Sequence, residues 1–158
     1  MVYKIIGAVL ILISAVCACT AVIVIEKKHL EQLGAIVSLV TLIEVQIENF
    51  NLPLNEILKK ADKKLLLLCG FDENEVPDLT ALKEKKDLLL DGKEKNVLFE
   101  FADTLGHSYR DGQLASCRHS RTELQKMYTE RKNDFSKKTR LTVTLGVCAA
   151  LALIIFML

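Results

Sequence analysis

Hydrophobic residues are concentrated at the two ends of the chain, and the polar residues lie between them. Residues Ile5–Ile25 are 21 positions without a charge, and Leu141–Leu158 are 18 more. Because an α-helix rises about 1.5 Å per residue and the hydrocarbon core of a bilayer is about 30 Å thick, either stretch is long enough to cross a membrane. The pattern predicts transmembrane helices at 5–25 and 141–158, with one polar domain, 26–140, between them.

The first part of the polar domain has the apolar period of an α-helix. Hydrophobic residues recur there at steps of three and four, at Leu30, Leu33, Ile36, Val37, Val40, Ile43, Ile47 and Phe50. This spacing predicts a helix over Glu26–Glu48 that continues from the first apolar stretch. The face is widened further by Ala35, Leu39, Leu42 and Val45. We therefore expect this helix to lie at the centre of the bundle or in a contact between copies of the chain.

Proline and glycine mark the limits of a second helix. Pro53, in the segment NLPLNEIL, has no N–H to donate and disfavours helix in the residue before it. The first helix should therefore end near Phe50, and a new one should begin around Pro53, where the missing donor costs nothing. Gly70 is expected to end this second helix at about Cys69.

Two further helices are expected in the middle of the domain. A third helix is predicted to begin near Leu79, with Asp78 or Thr80 as its N-cap. Gly92 separates it from a fourth helix over Lys93–Leu105, in which apolar residues again recur at helical spacing. We interpret the lysine-rich segments between these leucines as solvated faces.

The last helix should be long and continuous. Asp111 is a candidate N-cap, and beyond Gly112 only Gly146 interrupts the helix-forming sequence. Strand-like alternation and internal repeats are missing from the sequence. The predicted fold is all-α, a helical bundle of about four or five helices between two transmembrane helices.

The charge distribution predicts the orientation in the membrane. The chain has 21 Lys and Arg against 20 Asp and Glu, so its net charge does not indicate a nucleic-acid partner. Lys4 alone lies on the outer side of the apolar stretches. The domain side is bordered by Lys27, Lys28, Arg131, Lys132, Lys137, Lys138 and Arg140. Since basic residues stay on the cytoplasmic side, the domain should be cytoplasmic and both termini outside the cell membrane.

A cleaved signal sequence is the alternative for the first apolar stretch. Lys4 and the apolar run after it fit such a signal, and the segment VCAC, Val16–Cys19, approaches a lipoprotein processing site. The apolar run continues to Ile25 and the basic pair follows it, which favours an uncleaved anchor. The alternative function is a two-span membrane sensor or a lipoprotein with an extracytoplasmic helical domain.

No catalytic constellation stands out in the sequence. His107, Ser108 and Asp111 have the residue types of a nucleophilic triad, but three residues crowded into one turn rarely face one another across a pocket. A glycine-rich phosphate loop of the GxxxxGK[ST] kind is also missing, so the chain is not itself a P-loop ATPase. We predict a protein that is not an enzyme and has no catalytic or cofactor-binding residues.

Metal ligands and disulfides are not predicted either. Cys117 and His119 are two positions apart, so they face different sides of a helix. His29 has no partners at metal-site spacing. Of the five cysteines, only Cys69 and Cys117 lie in the predicted cytoplasmic domain, where we expect both thiols to stay reduced.

Two arginines, Arg121 and Arg131, occupy seam positions of the last helix. A partner surface, including one for self-association, would explain them. Internal packing would explain them equally well, because long arginine stems also cover apolar surface.

Two phrases of the sequence resemble the stage III sporulation protein AB family of endospore-forming bacteria. NLPLNEIL, with Pro53 and Leu54, resembles the family's Thr-Pro-Leu turn after a Glu-rich helix. FADTLGHSYRDGQ resembles its phrase Leu-Gly-x-x-Asp-x-x-x-Gln, which is carried here by Leu105, Gly106 and Gln113.

The layout and the last apolar stretch extend the resemblance over almost the whole chain. LGVCAALALIIFML, which begins at Leu145 and Gly146, is similar to the family's last span. One departure is that the family's usual aspartate falls on Tyr109, and the nearest acid is Asp111. This departure concerns the local cap rather than the overall assignment.

The resemblance implies a function that spacing and composition do not show. It implies a component of the channel apparatus between mother cell and forespore, in the mother-cell membrane facing the forespore. The domain is similar to the helical module of type II secretion and pilus inner-membrane platform proteins of the F class. The implied partners are a cytoplasmic secretion-type ATPase from the same gene cluster and other membrane proteins of the channel. The corner Gly106–Gly112, with His107, Tyr109 and Arg110, is the candidate docking site for this ATPase, and a plain turn between two helices is the alternative interpretation.

Overall fold

The computed structural model describes residues 2–50, 52–72, 77–83, 85, 88–105 and 109–157. Within these ranges every regular element is helical, which confirms the prediction of an all-α chain. The elements are α1 (Val2–Phe50), α2 (Leu54–Lys60), α3 (Lys63–Cys69), a 3-10 turn (Ala81–Lys83), α4 (Gly92–Thr104) and α5 (Arg110–Met157).

The chain divides into two units. The terminal unit consists of residues 1–28 and 131–158, and the helical unit consists of residues 29–130. Helix α1 contributes to both units, which confirms that the helix of the polar domain continues from the first apolar stretch.

The terminal unit pairs apolar portions of α1 and α5. Cys19 Sγ lies 3.6 Å from the carbonyl oxygen of Thr142, and Arg131 Nη2 lies 3.6 Å from Glu26 Oε2. Among the described residues, one helix segment, Val9–Phe50, contains a window of 18 residues that is long and apolar enough to cross a membrane. Because none of this window is buried within the protein, its apolar surface is available to lipid.

Helix α1 forms the centre of the core of the helical unit. Its buried residues recur at the predicted spacing: Leu33, Ile36, Val37, Val40, Ile43 and Ile47. From the wider part of the face, Ala35 and Leu39 are buried as well, whereas Val45 is exposed. The other elements cover this face with residues that include Ile57, Leu58, Cys69, Leu98, Phe101, Leu114, Cys117 and Leu124. Most of the apolar face of α1 is therefore covered by other elements of the same chain.

The predicted second helix is broken into two. It begins directly after Pro53 and ends at Gly70, as predicted, but the backbone is extended at Ala61 (φ −66°, ψ 150°). The Asp62 carboxylate then accepts a hydrogen bond from the N–H of Lys64 (3.0 Å) and caps α3. Gly70 closes α3 at φ 101°, in the left-handed region that favours glycine. The prediction of one helix is wrong because a capping aspartate inside the apolar pattern starts a new one.

The predicted third α-helix is wrong too. Of the described residues between Gly70 and Asp91, only the 3-10 turn is regular. The Asp78 carboxylate accepts hydrogen bonds from the hydroxyl (2.6 Å) and the N–H (3.0 Å) of Thr80, which lower the pKa of Asp78. These bonds close a turn instead of capping a helix. In Leu88–Leu90 the outer two side chains are buried and the middle one is exposed, which is the alternation of an extended chain.

Helices α4 and α5 begin slightly before their predicted starts. Asp91 is the N-cap of α4, so Gly92 belongs to the first turn and does not precede the helix. The Glu94 carboxylate accepts a hydrogen bond from the Asp91 N–H (2.8 Å), as in a capping box. Since α5 begins at Arg110, Asp111 lies inside its first turn, and the prediction that Asp111 is the N-cap is wrong.

Candidate functional site

The candidate docking corner lies at the end of the helical unit where α1 ends and α5 begins. His107 falls outside the described residues, whereas Tyr109 is 95% exposed. Arg110 Nη2 donates a hydrogen bond to the carbonyl oxygen of Glu48 (2.6 Å). The last carbonyl groups of a helix have no partner within it and attract cations through the helix dipole. Arg110 therefore fastens the start of α5 to the end of α1, and Tyr109 beside it is exposed.

A second aromatic residue is exposed at the same end of the helical unit. Phe50, the last residue of α1, is 65% exposed and lies two positions from the carbonyl group that Arg110 binds. Exposed aromatic rings are enriched in protein interfaces, where they provide much of the binding energy. The spacing of Phe50 predicts that it lies on the core face of α1, and it is exposed instead because it is the last residue of that helix.

A buried carboxylate pairs with two arginines between α1 and α5. Glu44 is only 6% exposed, although it lies among the apolar residues of α1. Arg121 Nε lies 2.9 Å from Glu44 Oε2, and Arg118 Nε lies 3.4 Å from Glu44 Oε1. Neither Arg121 Nε nor Glu44 Oε2 makes an aligned hydrogen bond, so charge attraction rather than hydrogen bonding joins them. Arg118 Nη2 also pairs with Glu48 Oε1 at 2.8 Å.

These pairs decide between the two explanations for the seam arginines of α5. Arg121 pairs with Glu44 inside the helical unit, and Arg131 pairs with Glu26 inside the terminal unit. Both arginines are thus engaged within a single copy of the chain. The structure favours internal packing over a partner surface at these two positions.

His29 has partners that its sequence neighbourhood does not show. Its Nε2 donates a hydrogen bond to Glu94 Oε2 (2.7 Å), the same oxygen that accepts the Asp91 N–H. One ligand-type atom of each of these three residues lies within 4.8 Å of the other two, as in a metal site. The two hydrogen bonds to Glu94 already account for this geometry, because they fix the first turn of α4 to the beginning of the helical unit.

The two thiols of the helical unit are buried. Burial raises the pKa of Cys69 to about 12. Burial and the Glu44 charge raise the pKa of Cys117 to about 11. Both thiols are therefore protonated at neutral pH, whereas nucleophilic cysteines are thiolates in exposed, electropositive surroundings. His119 is exposed while Cys117 is buried, so these two residues do not form a metal site together.

The family-like residues of the helical unit are distributed over several environments. Leu105 is buried in the core directly after α4, whereas Gly106 is outside the described residues. Pro53 is exposed before α2, and Leu54 and Gln113 are partly buried. Leu105 thus has a packing role, and the described members of this set do not form one site.

In the terminal unit, Gly146 allows a close approach of two helices. A Cβ atom at Gly146 would lie 2.5 Å from Cys19 Sγ, which is closer than van der Waals contact permits. Leu145 beside it is exposed. Small residues allow such close packing between membrane helices.

Comparison with known proteins identifies a family. The family model for stage III sporulation protein AB matches residues 75–158, just over half of the chain. The matched range includes the phrases around Leu105 and Leu145, and the NLPLNEIL phrase precedes it. No curated protein and no solved structure matches the chain. On the strength of the family match, the chain belongs to the stage III sporulation protein AB family.

Proposed function

We propose that this protein is a non-enzymatic membrane platform of the sporulation channel between mother cell and forespore, and that its helical unit docks a cytoplasmic secretion-type ATPase. The observation that carries the proposal is the family match over residues 75–158. The apolar segment of α1 supports membrane anchoring. The resemblance to F-class platform proteins of type II secretion supports the ATPase as partner.

The proposal includes a second span at 141–158. The C-terminal part of α5 carries no charge after Arg140, and its exposed apolar side chains include Leu141, Val143, Leu145, Val147, Leu151, Leu153 and Ile155. Lipid would remove this apolar surface from water. With α1 as the first span, the helical unit is cytoplasmic and both termini are outside.

Cysteine labelling tests this topology. Native Cys69 and Cys117 are buried and cannot report, so the probe is an exposed residue of α4, Asn96→Cys. In protoplasts that express the full chain, we expect a membrane-impermeant maleimide to modify Asn96→Cys only after permeabilisation. A cysteine appended after Leu158 should react without permeabilisation, because the second span carries it outside.

The background for this experiment is a chain with Cys17 and Cys148 replaced by serine, since both are exposed in the terminal unit. Labelling of Asn96→Cys in intact protoplasts would contradict the cytoplasmic orientation and support the sensor or lipoprotein alternative. If the appended cysteine does not react in intact protoplasts, residues 141–158 do not cross the membrane. This result would leave the proposal of the first span unaffected.

The docking corner supplies the surface for the ATPase. Tyr109 and Phe50 are exposed aromatic residues at this end, and the hydrogen bond from Arg110 to Glu48 joins the two helix ends beside them. A preorganised aromatic residue loses little conformational entropy on binding. These features support the corner, with His107, Tyr109 and Arg110, as the docking site.

Tyr109→Ala is expected to weaken binding of the ATPase by roughly thirtyfold in Kd, the effect of losing a hot-spot residue of about 2 kcal/mol. The measurement is a titration of the ATPase against the full chain in nanodiscs. Lys126→Ala, at an exposed position of α5, is the matched control and should leave Kd unchanged. Equal Kd values for the Tyr109→Ala variant and the unmodified chain would rule out this corner.

A further inference from the structure

Three parts of the chain meet α1 at the end of the helical unit that begins with His29. The Gln32 side chain accepts a hydrogen bond from the Leu89 N–H (2.7 Å) through Oε1. Its Nε2 also lies close to Gly70, the residue that ends α3, since a methyl group at Gly70 would be 3.5 Å from this nitrogen. His29 binds Glu94 in the first turn of α4. The end of α3, the segment around Leu89 and the start of α4 therefore all lie at this end.

This end of the helical unit carries exposed leucines. Leu67 and Leu68, in the last turn of α3, are 46% and 43% exposed, and Leu89 is 43% exposed. A folded domain in water normally buries such a group of leucines. Their neighbours Cys69, Leu88 and Leu90 are buried, so the leucines are exposed although their backbone is held in place.

Two exposed lysines lie one helical turn before the exposed leucines of α3. Lys63 and Lys64 lie four residues before Leu67 and Leu68, so each lysine shares a helix face with one leucine. The leucines lie toward Gly70 and Gln32, and the lysines lie one turn farther from that end.

A bilayer surface suits this arrangement better than water does. At the surface of a membrane, leucines enter the boundary between headgroups and acyl chains, while lysines reach anionic headgroups. His29 lies close to the apolar stretch along α1. Glu26, which directly follows that stretch, is three residues before His29, roughly 5 Å along a helix.

We propose that the leucine–lysine face, formed by Lys63, Lys64, Leu67, Leu68 and Leu89, lies on the surface of the bilayer that holds α1 and binds anionic lipid headgroups. This inference rests on the membrane insertion of α1 in the proposed function. It assigns the two ends of the helical unit to different neighbours. The His29 end contacts lipid, and the end with Tyr109 contacts the protein partner.

Tryptophan fluorescence tests the face in the full chain, because the chain contains no tryptophan. Three single variants, Leu68→Trp, Val16→Trp and Phe50→Trp, are placed in nanodiscs of mixed zwitterionic and anionic phospholipid. All three replaced residues are exposed, so the substitutions should not disturb the core. Lipids with brominated acyl chains quench tryptophans that contact the membrane.

We expect strong quenching of Val16→Trp, intermediate quenching of Leu68→Trp and no quenching of Phe50→Trp. Adding Lys63→Glu and Lys64→Glu to Leu68→Trp should reduce its quenching about twofold, as should omission of the anionic lipid. The matched control is Lys126→Glu, which should leave the Leu68→Trp signal unchanged.

The reference positions separate the ways in which the inference can fail. If Leu68→Trp is as unquenched as Phe50→Trp while Val16→Trp is quenched, α1 is inserted but the face does not contact lipid. A blue-shifted, unquenched Leu68→Trp would show that protein, such as a second copy of the chain, covers the face, and would overturn the proposal. Unquenched Val16→Trp would overturn the membrane anchor itself.

Discussion

Replacing Arg118 and Arg121 together with alanine is expected to lower the free energy of unfolding by about 2–3 kcal/mol, because Glu44 is buried while the two arginine side chains are half exposed. Both arginines lie against Glu44, whose side chain is almost fully buried between α1 and α5. Without them the Glu44 carboxyl group would lie between the two helices without a cationic partner. The measurement is chemical denaturation of the full chain in detergent, followed by circular dichroism. Gln125→Ala with Lys126→Ala, two exposed residues of the same helix, should change the free energy by less than about 0.5 kcal/mol.

A third substitution identifies the cause of that loss. Glu44→Leu replaces the buried charge with an apolar side chain of similar volume, so it should restore most of the stability of the double variant. If the triple variant is as unstable as the double variant, the loss comes from the packing of the arginine stems and not from the unpaired carboxylate.

Phe101→Ala is expected to cost about 3–5 kcal/mol in the free energy of unfolding. Phe101 is fully buried in α4, within the same core as Leu98 and Leu105. Removal of its ring takes away apolar burial and leaves a cavity that the surrounding helices fill only in part. The effect is measured by the same denaturation experiment.

Phe50→Ala is the matched control, because it removes the same ring from a position that is mostly exposed. Its cost should stay below about 1 kcal/mol. Similar losses for Phe50→Ala and Phe101→Ala would show that the core is not packed around α4 as described.

The long helices could be predicted from the sequence because their signals are local. Apolar residues at three-and-four spacing define α1, and the start of α2 and the end of α3 are marked by Pro53 and Gly70 through a missing donor and a left-handed φ angle that belong to each residue alone. The orientation, the second span and the docking corner stay predictions. They depend on lipid and on a partner, which lie outside the chain.

Other features depend on residues that are distant in sequence. The N–H of Leu89 bonds to the side chain of Gln32, and nothing in the composition of the segment Leu88–Leu90 shows this contact. The same holds for His29, whose partner lies in α4. Glu44 is a partial exception, since a carboxylate within the apolar stripe of α1 indicates a cation opposite it. The sequence does not indicate which arginines these are.

The buried thiol of Cys69 allows local opening of the helical unit to be measured in the native protein. Since Cys69 lies in the core at the end of α3 and stays protonated, a thiol reagent can reach it only when the surrounding helices separate. The modification rate of Cys69 in native protein thus measures how often this part of the core opens. Tightening of that region by lipid or by a partner would be recorded as a slower reaction, without any introduced probe.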